Sequence, residues 1–264
     1  MIVAGFLLLA VGAADLVRQF APRRWVGYLT TAVILLLLGS VSDALLPMLS
    51  GLVVGALWVW CMPSERPAPL GFWPAALLGV LSIGAVVALG ARTDTGLIGA
   101  VWSIRSPFGE VPFDLAMLTV GAGVFLMESA NLVVRAALDG EHTWRPAELT
   151  RIPAPATTES EAGPAPIATN KTSDEAEPAR DPRAGFKGGR LIGPLERILV
   201  MILTLAAAYP ILAAMLAAKG IVRFPEISRD GETGARAEYF LVGSLVSWVI
   251  GLGAAFLVWW AAHS

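Results

Sequence analysis

Of 264 residues, 56% are hydrophobic and 15% charged, where soluble chains average roughly 45–50% and 25%, so a soluble globular domain is excluded and a chain embedded in a membrane is expected. A net charge of −2 without a compact basic motif speaks against nucleic acid as a partner. One cysteine, Cys61, and two histidines, His142 and His263, exclude an intrachain disulfide and leave almost nothing from which to build a zinc centre or a Ser-His-Asp triad, so no metal and no cofactor is expected.

The first apolar run, residues 2–17, lacks the basic start of a secretory signal and reads as a retained first span. Asp15, Arg18 and Gln19 follow one another at i, i+3 and i+4 and share a face, ordinarily a solvated helix end. The second span is expected over 25–39 and the third over 44–62. Gly51 and Gly55 in the third are spaced to let two backbones approach closely in lipid. A fourth span is expected over 70–91, and residues 92–112 form the longest connection of the first half, an interfacial loop or a cap on the bundle. Trp25, Trp73, Trp102, Trp259 and Trp260 fall near expected span ends, as interfacial belts require.

A fifth span over 113–138, taken as one helix at 100° per residue, places Glu128, Asn131 and Arg135 in one stripe. A carboxylate inside a membrane is a functional-site hypothesis, and its nearest partner is Arg135 or Arg197; a structural ion pair at the helix end is the plainer reading. Residues 1–138 thus form an N-terminal membrane region of about five helices, followed over 139–188 by a Pro/Ala/Thr/Glu-rich stretch with too little apolar surface to fold, a disordered linker. Residues 189–264 form a C-terminal region of two membrane helices. The first of these starts at Gly193-Pro194, kinks at Tyr209-Pro210 and ends by Phe224, since the residue before Pro225 is pushed out of the helical region. Glu196 and Arg197 then stand at its entrance and Lys219 and Arg223 at its exit. Lys219 and Arg223, with Glu226 and Glu238, are candidate contacts to an anion or lipid head-group. In the last span, over 237–262, Gly243, Ser247 and Gly251 recur every four residues as a small-residue stripe for helix packing.

The runs IGPLER, AAKGIVRFPEI and EYFLVGSLVS, in that order, resemble the C-terminal region of a bacterial family of multispanning membrane proteins, a domain of unknown function. The resemblance covers roughly the last quarter of the chain and rests on Ile192, Gly193, Leu195, Glu196, Arg197, Ala218, Lys219, Arg223, Phe224, Glu238, Tyr239, Gly243 and Ser247. It implies a membrane location, and it supplies no activity.

The expected fold is therefore all-α, a polytopic transmembrane helix bundle of about seven spans with a disordered linker, in the bacterial cytoplasmic membrane. With seven spans, thirteen Lys and Arg fall on the side of the linker and six on the other, so the N-terminus is expected outside and the linker and C-terminus in the cytoplasm. The loop holding Lys219, Arg223, Arg229 and Arg236 then lies outside, against the rule. Asp15, Arg18, Glu128, Asn131, Arg135, Glu196 and Arg197 all come to the cytoplasmic edge and form one expected polar cluster. Three functions compete: a non-enzymatic assembly component whose partners are the lipid bilayer and a homo-oligomer or another membrane protein; a small proton- or ion-coupled transporter or channel using Glu128; and a membrane enzyme or binder acting on anionic head-groups through Lys219 and Arg223, with Glu226 or Glu238 as base.

Overall fold

The computed structural model describes residues 1–63, 70–90, 92, 95–106, 109–140, 189–228 and 235–264, with backbone alone for 100, 105–106, 140, 189–190, 223–228 and 235–239. Among the described residues the chain is all-α apart from one hairpin of two two-residue strands. Its helices are α1 Ile2–Phe20, α2 Arg24–Val41, α3 Leu45–Cys61, α4 Trp73–Leu89, α5 Gly96–Val101, α6 Phe113–Met127, α7 Ser129–Gly140, α8 Gly189–Leu205, α9 Tyr209–Ser228 and α10 Ala235–His263. The hairpin pairs β1 Arg105–Ser106 with β2 Gly109–Glu110.

Helix α1 is apolar around most of its circumference, and such a helix belongs inside a bundle. It is the central element: Ile2, Ala4, Gly5, Phe6, Leu7, Leu8, Ala10, Val11, Gly12, Ala14 and Asp15 are all buried, with α3 on one side and α6 on another. Glycine makes the α1–α6 crossing this close. A Cβ on Gly12 would stand 2.7 Å from the backbone nitrogen of Phe125, one on Gly5 2.9 Å from that of Leu118, and one on Gly121 would overlap the carbonyl of Gly5. Helix α2, by contrast, buries only Leu35 and Gly39 and turns Leu29, Ile34 and Leu37 outward.

Among the described residues, three helices are long and apolar enough to cross a membrane, namely 2–20, 24–41 and 240–263, and a fourth is obtained when α6 and α7 are taken as one bent element. Helices α3 and α4 are shorter, with 17 residues each. Two spans expected as continuous are interrupted. The fifth is bent by 49° at Glu128, between α6 and α7, and α7 runs on to Gly140, two residues into the expected linker. The rest of that linker lies outside the described residues.

The sixth expected span is corrected more deeply, because it is a helical hairpin. Pro194 lies inside α8, which begins five residues earlier, at Gly189. The chain breaks at 206–208, where Ala207 takes φ 53°. Pro210 then falls in the first turn of α9, where its missing N–H leaves no bond unmade, so it starts a helix and does not kink one. Helix α9 returns along α8 and brings Lys219 Nζ to 2.7 Å from both carboxylate oxygens of Glu196. A straight helix would hold residues this far apart in sequence about 35 Å from each other. Nor does α9 end at Phe224: its backbone stays helical to Ser228, at the cost of the single hydrogen bond that Pro225 removes.

Polar bonds tie matching helix ends together and define two faces of the bundle. At one face the Met1 ammonium donates to Gly90 O at 2.9 Å. There Arg92 binds Asp114 at 2.9 and 3.1 Å and donates to the carbonyls of Ser42 and Asp43 at 3.2 and 3.0 Å. The start of α1, the α2–α3 turn, the end of α4 and the start of α6 therefore share this face. Residues 95–106 and 109–112 close over it: Gly96, at φ 63°, fits against Val41 O and Asp43 N, and Trp102 donates to Val111 O at 2.8 Å and meets Phe113 edge-on at 5.2 Å. At the other face Arg18, near the end of α1, donates to Met62 O just past α3 at 2.8 Å.

Candidate functional site

The two interruptions meet a buried polar seam that runs from α1 to α10. Asp15 is 1% exposed, and its bonds reach one partner on its own helix and two on other helices. One carboxylate oxygen pairs with Arg18. The other accepts from Trp58 Nε1 of α3 at 2.8 Å and from Ser129 Oγ of α7. An ionised group buried among apolar residues is tolerated when it is paired and fully hydrogen-bonded, and here three helices supply the partners. Trp58 is held in turn by an edge-on contact with Phe125 at 6.0 Å.

On the far side of the α6–α7 bend stands Arg197, 4% exposed on α8. Its guanidinium donates through Nε to Ser247 Oγ of α10 at 2.9 Å, through Nη1 to Leu126 O of α6 at 3.2 Å, and through Nη2 to Asn131 Oδ1 of α7 at 2.8 Å. The planar fork of arginine suits such a divergent set of acceptors, and an ammonium does not. The bend explains the arrangement, since breaking the helix at Glu128 leaves the Leu126 carbonyl free for a side chain. Asn131 Nδ2 donates in turn to Glu128 Oε2 at 3.3 Å and to Met127 O at 3.2 Å. Gly193 gives the guanidinium room, as a Cβ there would lie 3.4 Å from Arg197 Nη2.

The single expected cluster is thus divided into connected parts. Asp15 and Arg18 form one node and Arg197, Asn131 and Glu128 a second, and the α6–α7 bend joins them by giving Ser129 to the first and Leu126 O to the second. Arg135 is exposed on α7. Glu196 turns away to α9 and α10, where Lys219 of α9 and Trp248 Nε1 of α10, the latter at 2.9 Å, hold its carboxylate. Adjacent residues point in different directions because they sit 100° apart on α8. Lys219, expected as a contact to an anionic head-group, is committed to Glu196 and lies 5.9 and 5.5 Å from the ring centroids of Phe240 and Trp248. The side chains of Arg223, Glu226 and Glu238 lie outside the described residues.

Both small-residue stripes are filled by helices of the same chain, which leaves neither free for another molecule. A Cβ on Gly51 would stand 2.8 Å from Phe6 O, and one on Gly55 3.4 Å from the backbone of Ala10. Gly243 faces Leu138 and Val134 of α7, Ser247 binds Arg197, and Gly251 lies against Val200 and the Arg197 carbonyl. The sequence reading missed Trp58, Ser129, Gly5, Gly12 and Gly121. A single tryptophan or serine in an apolar run is unremarkable until its carboxylate partner is known, and the seven-residue spacing of Gly5 and Gly12 was the one available signal.

No family model matches the chain, and neither the curated proteins nor the solved structures contain a match to it.

Proposed function

We propose that the chain is a non-enzymatic assembly component of the bacterial cytoplasmic membrane, crossing it six times and dipping into it once. The crossings are α1, α2, α3, α4, the bent α6–α7 pair and α10; helices of 17 residues reach the short end of the spanning range. The α8–α9 hairpin enters and leaves by one face. From Glu196 to Leu205 it reaches about 14 Å, roughly half of a hydrocarbon core about 30 Å thick. Sidedness follows from charge. Among the described residues Arg92 and Arg105 belong to the face of the Met1 end, while Arg18, Arg23, Arg24, Arg135, Arg190 and Lys219 belong to the opposite one. The positive-inside rule makes that second face cytoplasmic. The basic 219–236 loop then joins it, and the exception it formed in a seven-span topology disappears. Gly243 stands beside Leu138 near the same face, so α10 leaves from there and its end, His263, emerges outside, not in the cytoplasm.

The observation that carries the assembly reading is that the buried charged side chains of the seam are taken up in holding helices of this chain together. Asp15 joins α1, α3 and α7, Arg197 joins α6, α7, α8 and α10, and Glu196 joins α8, α9 and α10. Two clefts among the described residues, one beside Ser82 and one beside Tyr28, are lined by apolar and hydroxyl side chains, with no carboxylate, histidine, lysine or arginine; a third, under the 95–113 segment, includes Glu110. Native mass spectrometry of protein extracted gently from its own membrane tests the reading. A stoichiometric protein partner or homo-oligomer is expected, and a bare monomer would contradict it.

One observation favours a second reading, a proton- or ion-coupled transporter: interrupted helices that meet polar groups within the bilayer are the usual material of such sites, and the α6–α7 bend carries Glu128 at its break. Proton flux in liposomes, abolished by Glu128→Gln, would establish transport; flux absent from the wild type would dismiss it.

A further inference from the structure

The cleft between α1, α4, α6 and α10 holds a polar group that the bundle does not use. It encloses about 190 Å3 and is lined by Leu8, Leu78, Ser82, Ala122, Phe125 and Leu257 among others. Ser82 is 1% exposed, and its hydroxyl finds no hydrogen-bond partner. A serine in a helix ordinarily returns its proton to the carbonyl one turn back, as Thr30, Thr119 and Thr204 all do here. An unmade hydrogen bond inside an apolar bundle is costly, and Ser82 bears that cost in the wall of a cleft. Two glycines, Gly79 of α4 and Gly253 of α10, also line the cleft, and a Cβ added to either would meet nothing within 4 Å. The space is therefore real and is kept open by the absence of side chains.

We propose that this cleft binds a neutral, membrane-soluble molecule with a narrow apolar body and a carbonyl oxygen, which accepts the Ser82 proton. The wall selects for this chemistry. It carries no charge to hold an anionic head, its aliphatic side chains and the Phe125 ring suit a chain or flat ring, and its one buried donor without a partner asks for an acceptor. Leu8 and Phe125 belong to the same helices as Asp15 and the α6–α7 bend, so an occupant would rest on the elements that carry the polar seam.

The test uses the full-length protein in lipid nanodiscs and a long-chain methyl ketone bearing a diazirine, with the matching alkane diazirine as control. Saturable photolabelling of α4 and α10 by the ketone is expected, weakened about fivefold by Ser82→Ala, as befits one neutral hydrogen bond, and abolished by Gly253→Leu, which fills the cleft. Ser82→Ala removes only a hydroxyl that has no partner, and a Cβ at Gly253 meets nothing within 4 Å, so neither substitution should lower the thermal midpoint of the unliganded protein. Equal labelling by ketone and alkane, or ketone labelling unchanged in Ser82→Ala, would overturn the acceptor role. Labelling unchanged in Gly253→Leu would overturn the site itself.

Discussion

Lys219 and Glu196 form a two-oxygen ion pair at 2.7 Å across the α8–α9 hairpin. Trp248 of α10 donates to the same carboxylate, so the pair fixes both the hairpin and its place on the bundle. Side-chain exposures of 24% and 13% put it at the edge of the structure and not in its depth. Lys219→Met should lower stability by about 1.5–3 kcal/mol, the range for hydrogen bonds to charged groups, measured by thermal unfolding in detergent. Glu196→Gln combined with Lys219→Met should cost less than the sum of the two single changes, because neither charge is left alone.

Arg197 is the more demanding position. Arg197→Met deprives Ser247, Asn131 and Leu126 O of their donor at once, and about 3–5 kcal/mol should be lost, as when one member of a buried charge network is removed. Arg197→Lys should recover little, since an ammonium cannot span three acceptors set around a planar fork. Equal midpoints for wild type and Arg197→Lys in the same unfolding measurement would refute the seam as described.

Glycines of the bundle fall into two groups with opposite expected behaviour. Gly121→Ala forces a methyl group into the carbonyl of Gly5 and should destabilise by about 1–3 kcal/mol through overpacking. Gly79→Ala places a methyl group in open space on a helix and should be neutral or stabilise by up to about 1 kcal/mol. Comparing the two unfolding midpoints checks the α1–α6 crossing without reference to function.

At the first node, Asp15→Asn keeps the shape but removes the charge that Arg18 faces. Arg18 retains its bond to Met62 O, and a loss of about 3–5 kcal/mol is expected from leaving its guanidinium without a counter-charge. Asp15→Asn with Arg18→Met should recover part of that loss in the same assay.

Hydrophobic runs located the straight helices well. The expected spans 25–39, 44–62, 70–91 and 237–262 became α2 Arg24–Val41, α3 Leu45–Cys61, α4 Trp73–Leu89 and α10 Ala235–His263. Composition could not show where a run turns back on itself. Ala206, Ala207 and Ala208 are strong helix formers by propensity, yet Ala207 takes φ 53°, because the packing of α9 on α8 and the Glu196–Lys219 pair outweigh a local preference. Glu128 was legible as unusual, but its place at a bend was not: the break is set by Ser129 reaching to Asp15 and by Arg197 reaching to Leu126 O, partners more than 70 residues away in each case. Span ends brought to one membrane edge by a seven-span topology therefore grouped Glu196 with Arg197, whereas the fold sends one to α9 and the other into the seam.

The hairpin decides the topology, and cysteine accessibility measures it most directly. In a Cys61→Ser background, Ala21→Cys, Gly220→Cys and Ser264→Cys are each probed in oriented membranes with a membrane-impermeant maleimide; Gly220 has open space for the new side chain. Six crossings and a re-entrant hairpin predict that positions 21 and 220 are labelled from one side and 264 from the other. Positions 21 and 264 labelled from the same side, with 220 opposite, would restore a seventh crossing and contradict the hairpin.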